Sequence, residues 1–315
     1  MCLNLYLQGH EGRFSIYVHA SREKPVHVSP LFDGRDIQSG KVVWGKISMV
    51  DAERRLLANA LQDPDNQHFV LLSDSCVPLH NFVYVYNYLM GTNVSFIDCF
   101  WDPGPHGNAR YTEHMLLEIE EKDFRKGSQR MRRWMNVRVE VQLGWWFSMK
   151  RRHALIVLAD SLYYTKFKLY CKPGFDSRNC YADEHYLPTL LSMVDPTEIA
   201  NWSVTHVDWS EGKWHPKAYR AQDITFELLK NITSIVENYH VTSDEKVNRL
   251  EVVFIYVDSV LVLVQLFLIC FLYSCHNHQK HIRLGKRNLN LCKLIAKFYS
   301  FSVPPSYFSV FMRLG

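Results

Sequence analysis

Two adjacent carboxylates and a histidine stand in the stretch Cys180-Tyr-Ala-Asp183-Glu184-His185-Tyr186-Leu-Pro188-Thr189. A carboxylate held beside aromatic and aliphatic neighbours has its pKa raised toward the range in which it takes a proton from a hydroxyl. That makes Glu184 a candidate general base. The competing reading is an acidic pair at a helix start, placed there by the helix dipole. A hydrolase using Asp183 and Glu184 as its two carboxylates fails on geometry, because consecutive helical residues point in different directions and cannot flank one bond. Just upstream, Cys171 and Cys180 bracket a Lys-Pro-Gly-Phe-Asp-Ser-Arg-Asn loop. Pro173-Gly174 lets the chain turn there, so the spacing suits a short disulfide-closed loop.

The elements that must position these residues alternate between strand and helix. Phe14–His19 is a β-branched and aromatic run, read as a first strand, and Lys41–Trp44 as a second. Ser48, with Asp51 three residues on, opens a helix with Val50, Leu57 and Leu61 on one face and Arg54 and Arg55 outside. Asp63-Pro-Asp65-Asn66 stops it. His68–Leu72 is apolar throughout, as at the centre of a parallel sheet, and ends in Ser73-Asp74-Ser75-Cys76. Polar residues past such a strand end sit where α/β folds bind ligands. A helix over 82–90, strands near 95–98 and 145–149, helices over 151–161 and 183–193, and a strand over 203–208 complete an α/β pattern with three layers.

Composition narrows the function classes. The net charge of +4 is too small to argue for nucleic acid. The 14% aromatic share suits sugar stacking, but in a chain that is 47% apolar it also serves a core. The Cys171–Cys180 loop and the sequons at Asn93, Asn201 and Asn231 favour an oxidising, lumenal compartment. No signal peptide opens the chain. The run 252–275 is long enough to span a membrane, although Asp258 and Gln265 interrupt it. Basic residues follow it, which a positive-inside reading places in the cytosol.

Seven blocks now fall in order: Ile16–His19, Val43–Lys46, Asp51–Leu56, Phe69–Pro78, Trp146–Lys150, Cys180–Tyr186 and Val207–Trp209. Over about residues 8–235 they resemble the core-2/I-branching β-1,6-N-acetylglucosaminyltransferase family, especially its plant branch. The resemblance implies an inverting, hexosaminyltransferase-like enzyme of the A-type nucleotide-binding fold, with a mostly parallel central sheet. It implies a UDP-sugar donor, a glycan or glycoprotein acceptor, no metal or other cofactor, and a Golgi membrane location with the catalytic domain lumenal. The family's base maps onto Glu184, and Asp183 is read as a helix cap. His19 matches the first-strand end where the nucleotide base lies, and Asp74 matches an acidic residue that holds donor or acceptor hydroxyls. Lys213, Lys217 and Arg220 are the candidates for holding the diphosphate, whose charge a metal-free enzyme must offset with cations. Asp63-Pro-Asp65 has the spelling of a metal motif but precedes its strand and is read as a turn. Trp44 is read as core in preference to a stacking platform.

The chain departs from the family pattern in three places. It shows no N-terminal anchor or stem, residues 130–144 read as an insert, and residues 236–315 form a tail without family counterpart. The transferase domain is therefore expected over 1–235. The alternative reading is a non-catalytic, membrane-attached glycan-binding or interaction protein built on the same fold.

Overall fold

The computed structural model describes residues 6–21, 26–27, 29–73, 76–99, 110–115, 147–177, 179–200, 202–206, 219, 223, 225–233, 238–239, 249–250, 254–256 and 308–314. Of the sequence-based candidates, Asp74, Asn201, Lys213, Lys217, Arg220 and the insert 130–144 lie outside the described residues, as does the run 252–275 apart from Phe254–Tyr256.

The architecture is mixed α/β. A four-stranded sheet takes the order β1 (Ile16–Ala20), β9 (Phe308–Leu314), β2 (His68–Ser73), β4 (Ser148–Lys150). The alternation of β2 explains its unbroken apolar run. Phe69 and Leu71 join one buried cluster, Val70 and Leu72 the other. A strand covered on both faces needs apolar residues at every position, because successive side chains point to opposite faces. The ladder directions differ from the mostly parallel sheet anticipated: β1–β9, β2–β9 and β2–β4 are all antiparallel. The cause is β9, which enters between β1 and β2 and runs opposite to both. The two strands that the βα alternation makes parallel therefore do not touch. A second sheet has the order β3 (Cys76–Pro78), β8 (Phe254–Tyr256), β5 (Thr205–His206), with β5 and β8 parallel. Strands β6 (Asn238–Tyr239) and β7 (Arg249–Leu250) pair antiparallel as a separate ribbon. Both β8 and β9 come from the segment after residue 236, so the tail reaches back into sheets whose other strands precede residue 207.

Lys41–Trp44 forms no strand. Residues 35–42 instead follow β1 as an irregular edge. The Val18 amide donates to Arg35 O, the Ile37 amide to Val18 O, the Ala20 amide to Ser39 Oγ and the Val42 amide to Ser21 O. Gly40 donates to the His19 ring, which interrupts the regular ladder spacing.

Helices α1 (Ile47–Ala60), α3 (Arg151–Ala159), α4 (Leu162–Tyr170) and α5 (Ala182–Val194) supply one cluster, and α2 (Phe82–Gly91) the other. Two arginines tie α1 and α3 together reciprocally. Arg151, at the start of α3, donates to the Leu61, Asp63 and Asn66 carbonyls just past the end of α1. Arg54 of α1 donates to Val157, Leu158 and Asp160 carbonyls at the end of α3, and to Tyr186 Oη on α5. Carbonyls of a last helical turn lack helical partners, and a guanidinium satisfies several at once. This places Arg54 inward, against the outward position expected from the sequence. Asp160 completes the joint by accepting from the Tyr163 and Tyr164 amides at the start of α4 and from Tyr186 Oη. Arg54→Ala would strand these groups in a half-buried joint. We expect a loss of about 2–3 kcal/mol of stability in urea unfolding with an unchanged slope. Unchanged stability would show that water replaces the guanidinium at no cost.

Candidate active site at the start of helix α5

Helix α5 brings the acidic stretch into the interior. Its N-cap is Tyr181, whose side chain makes no capping hydrogen bond, and its first turn carries Asp183 and Glu184. Both are nearly enclosed, Asp183 at 3% and Glu184 at 5% exposure. The Glu184 amide donates to Tyr181 O at 3.2 Å. Pro188 has no N–H to give the Glu184 carbonyl one turn earlier, so the regular helical ladder is broken at the candidate base.

Asp183 is not the cap expected from the sequence: it sits inside the first turn, one residue past the helix start at Ala182. Its Oδ2 accepts the Gly45 amide at 3.3 Å, which fastens the loop before α1 to the start of α5. Gly45 has φ +71°, and a Cβ there would stand 2.6 Å from Cδ1 of Tyr181. Only glycine fits this left-handed, close approach without displacing the tyrosine ring. Burial pushes the Asp183 carboxyl up to about 7, against the downward pull of the Asp183, Gly45 and Glu184 amides. Glu53 of α1 is 5% exposed, and burial, followed by the Asp183 charge, pushes its carboxyl well above the usual range. Among the described residues, Glu53 Oε2 and Asp183 Oδ1 have no hydrogen-bond partner. Two carboxylates this enclosed do not both ionise readily, so each raises the cost of ionising the other.

His185 is enclosed as well. Tyr111 Oη lies 3.3 Å from its Nδ1 and 2.8 Å from Thr189 Oγ1, and the Tyr111 and His185 rings meet edge to face. Behind the turn, Cys171 and Cys180 form a disulfide with Cα atoms 4.9 Å apart. A bridge over so short a loop contributes roughly 2–3 kcal/mol in the chain-entropy view and fixes the approach to Tyr181.

His19, in β1 beside the same edge segment, is buried, and its Nε2 accepts the Gly40 amide at 3.2 Å. Burial and then the Arg55 charge hold its pKa down at about 4, so the ring is neutral with its proton on Nδ1. The 40–46 segment thus touches His19 at one end and Asp183 at the other. Asp63-Pro-Asp65 is a turn, closed by the Asp65 amide on Asp63 Oδ1 at 3.0 Å. No group of three or more metal-ligating side chains occurs among the described residues. Asn93 and Asn231 are exposed. Trp44, expected in the core, is 38% exposed beside Tyr181. Glu53 was not singled out by the sequence reading. Its signal was an acidic residue on the apolar stripe of α1, three after Val50 and four before Leu57.

The chain belongs to the Core-2/I-Branching enzyme family, whose model matches residues 2–233. Within that class it is similar to Glycosyltransferase BC10 of Oryza sativa subsp. japonica, with 36% identity over 270 residues covering 75% of this chain. The match covers 62% of the relative's own length.

Proposed function

We propose that the chain is an inverting, metal-independent glycosyltransferase that moves a sugar from a UDP-sugar to a hydroxyl of a glycan or glycoprotein acceptor. N-acetylglucosamine is the first donor sugar to test. The observation that carries this reading is the enclosed Glu184, at a helix start inside the segment matched to the family. In the transfer, Glu184 takes the acceptor hydroxyl proton as the oxygen bonds to the anomeric carbon from the face opposite the nucleotide. The bond to the UDP oxygen breaks at the same time, and UDP leaves with its charge offset by Lys213, Lys217 and Arg220. Asp74 and His19 complete the donor side of this proposal.

The fold proposed is the A-type nucleotide-binding architecture with three layers. It is supported by the family match and by the apolar clusters on both faces of β2. A lumenal Golgi location is supported by the Cys171–Cys180 bridge and by the exposed Asn93 and Asn231. Among the described residues no helix is long and apolar enough to cross a membrane.

A donor screen by saturation-transfer NMR on the full chain tests the reading, with each UDP-sugar offered with and without EDTA. The expected result is saturation of one UDP-sugar, unchanged by the chelator, and UDP release in the presence of acceptor. Binding restored only by added Mn²⁺ would contradict metal independence. Absence of any UDP-sugar signal would favour the non-catalytic alternative.

A further inference from the structure

We propose that β9 is an autoinhibitory strand, which competes with the nucleotide-sugar donor for the rim of the main sheet. The inference rests on the donor-side reading of His19 and Asp74 given above. Strands β1 and β2 each run antiparallel to β9, so they are parallel to one another. Their carboxyl ends, at His19–Ala20 and at Ser73, therefore lie at the same rim. Such a rim is where an α/β sheet binds its ligand. β9 starts there. Its first residue, Phe308, pairs with Ala20, and Ser309 stands between His19 on one side and Ser73 on the other. Neighbouring strands lie about 4.8 Å apart, so β9 holds the two ends roughly 10 Å apart with its own backbone between them.

The register also lets the sheet close without β9. Ile16 and Val70 share the partner Met312, Tyr17 and Leu71 share Phe311, and Val18 and Leu72 share Val310. β1 and β2 are thus aligned to pair with each other as parallel neighbours, with no side chain turned to the wrong face. Ile16, Val18, Val70 and Leu72 belong to one cluster, while Tyr17 packs against the other, which holds Leu71. The far edges are already taken, by the 35–42 segment beside β1 and by β4 beside β2. Only the two edges that face β9 change partner. β9 itself comes from beyond the residues matched to the family. The sheet so has two arrangements, one with β9 inserted and one with β9 released and the rim drawn together. A donor that binds only the second shifts the chain toward it, and by reciprocity loosens the hold on β9.

Hydrogen exchange of the full chain, read by mass spectrometry with and without saturating UDP, tests the competition. The amides of 308–314 are expected to exchange faster with UDP bound. Slower or unchanged exchange would overturn the proposal, since a strand that only supports the fold is not loosened by a ligand. Val310→Pro removes an amide from the middle of β9, which an inner strand cannot spare, and should release it. The variant is expected to bind UDP about tenfold more tightly than the unmodified chain, within the usual range of coupling between two sites. UDP affinity at or below the starting value would overturn the proposal. So would a variant that fails to fold, because the paired β1–β2 sheet must stand without β9. Equal binding by both chains sinks this inference alone, whereas no UDP binding by either removes the donor-side reading and the inference with it.

Discussion

Glu184→Gln is expected to reduce turnover by about two to four orders of magnitude, the usual contribution of a positioned base. Glutamine keeps the shape of the side chain and removes only its capacity to accept the hydroxyl proton. UDP-sugar affinity should therefore stay near its starting value, and the loss should fall on kcat. The residue is 5% exposed, so bulk water does not readily substitute for it. Turnover close to that of the unmodified enzyme would remove Glu184 from the mechanism. The neighbouring position gives a control of a different kind. Asp183→Asn would loosen the Gly45 contact and is expected to act on stability before chemistry.

That expectation has a pH signature. Asp183 is raised from 3.8 to about 7, so between those values the folded chain holds a proton that the unfolded chain has released. Its stabilising contribution is fully present below the unfolded pKa and is lost as pH rises through about 7. Glu53, raised further by burial and by Asp183, extends the decline to higher pH. Stability in urea unfolding between pH 4 and pH 8 should therefore fall more steeply than in Asp183→Asn, which keeps only the part that Glu53 carries. The difference should be roughly 4 kcal/mol, because the rise from 3.8 to about 7 is worth about 1.4 kcal/mol for each tenfold change in proton affinity. Carboxylates remote from Asp183 contribute alike to both proteins, and the comparison with the variant cancels them. Parallel pH profiles for the two proteins would show that Asp183 is not held protonated in the folded state.

Much of this arrangement was legible in the sequence where one physical signal dominated. The unbroken run His68–Leu72 identified a strand covered on both faces, and Asp63-Pro-Asp65-Asn66 identified the end of α1. The Asp183–Met193 helix came out within a residue of its bounds at each end. Reading failed where tertiary contact overrode local pattern. Arg54 looked like a solvent residue because charged side chains usually are, yet the open carbonyls at the end of α3 draw it inward. The β-branched pair Val42-Val43 suggested a strand, but hydrogen bonds from β1 to Ser39 and Arg35 made the segment an irregular edge. Trp44 looked like core because tryptophan usually is. It is instead 38% exposed beside Tyr181, in a loop whose left-handed Gly45 no local pattern announces. The placement of β9 between β1 and β2 joins residues 296 apart at the Ile16–Met312 pair, a separation beyond any pattern of period two or 3.6.

The most direct measurement of the central claim is the anomeric configuration of the product. The full chain is incubated with an α-linked UDP-sugar and a glycan acceptor, and the new linkage is read by proton NMR before any exchange. A single base at Glu184, drawing the acceptor hydroxyl onto the face opposite the nucleotide, predicts a β-linked product. An α-linked product would require a covalent intermediate or front-face attack and would contradict the account.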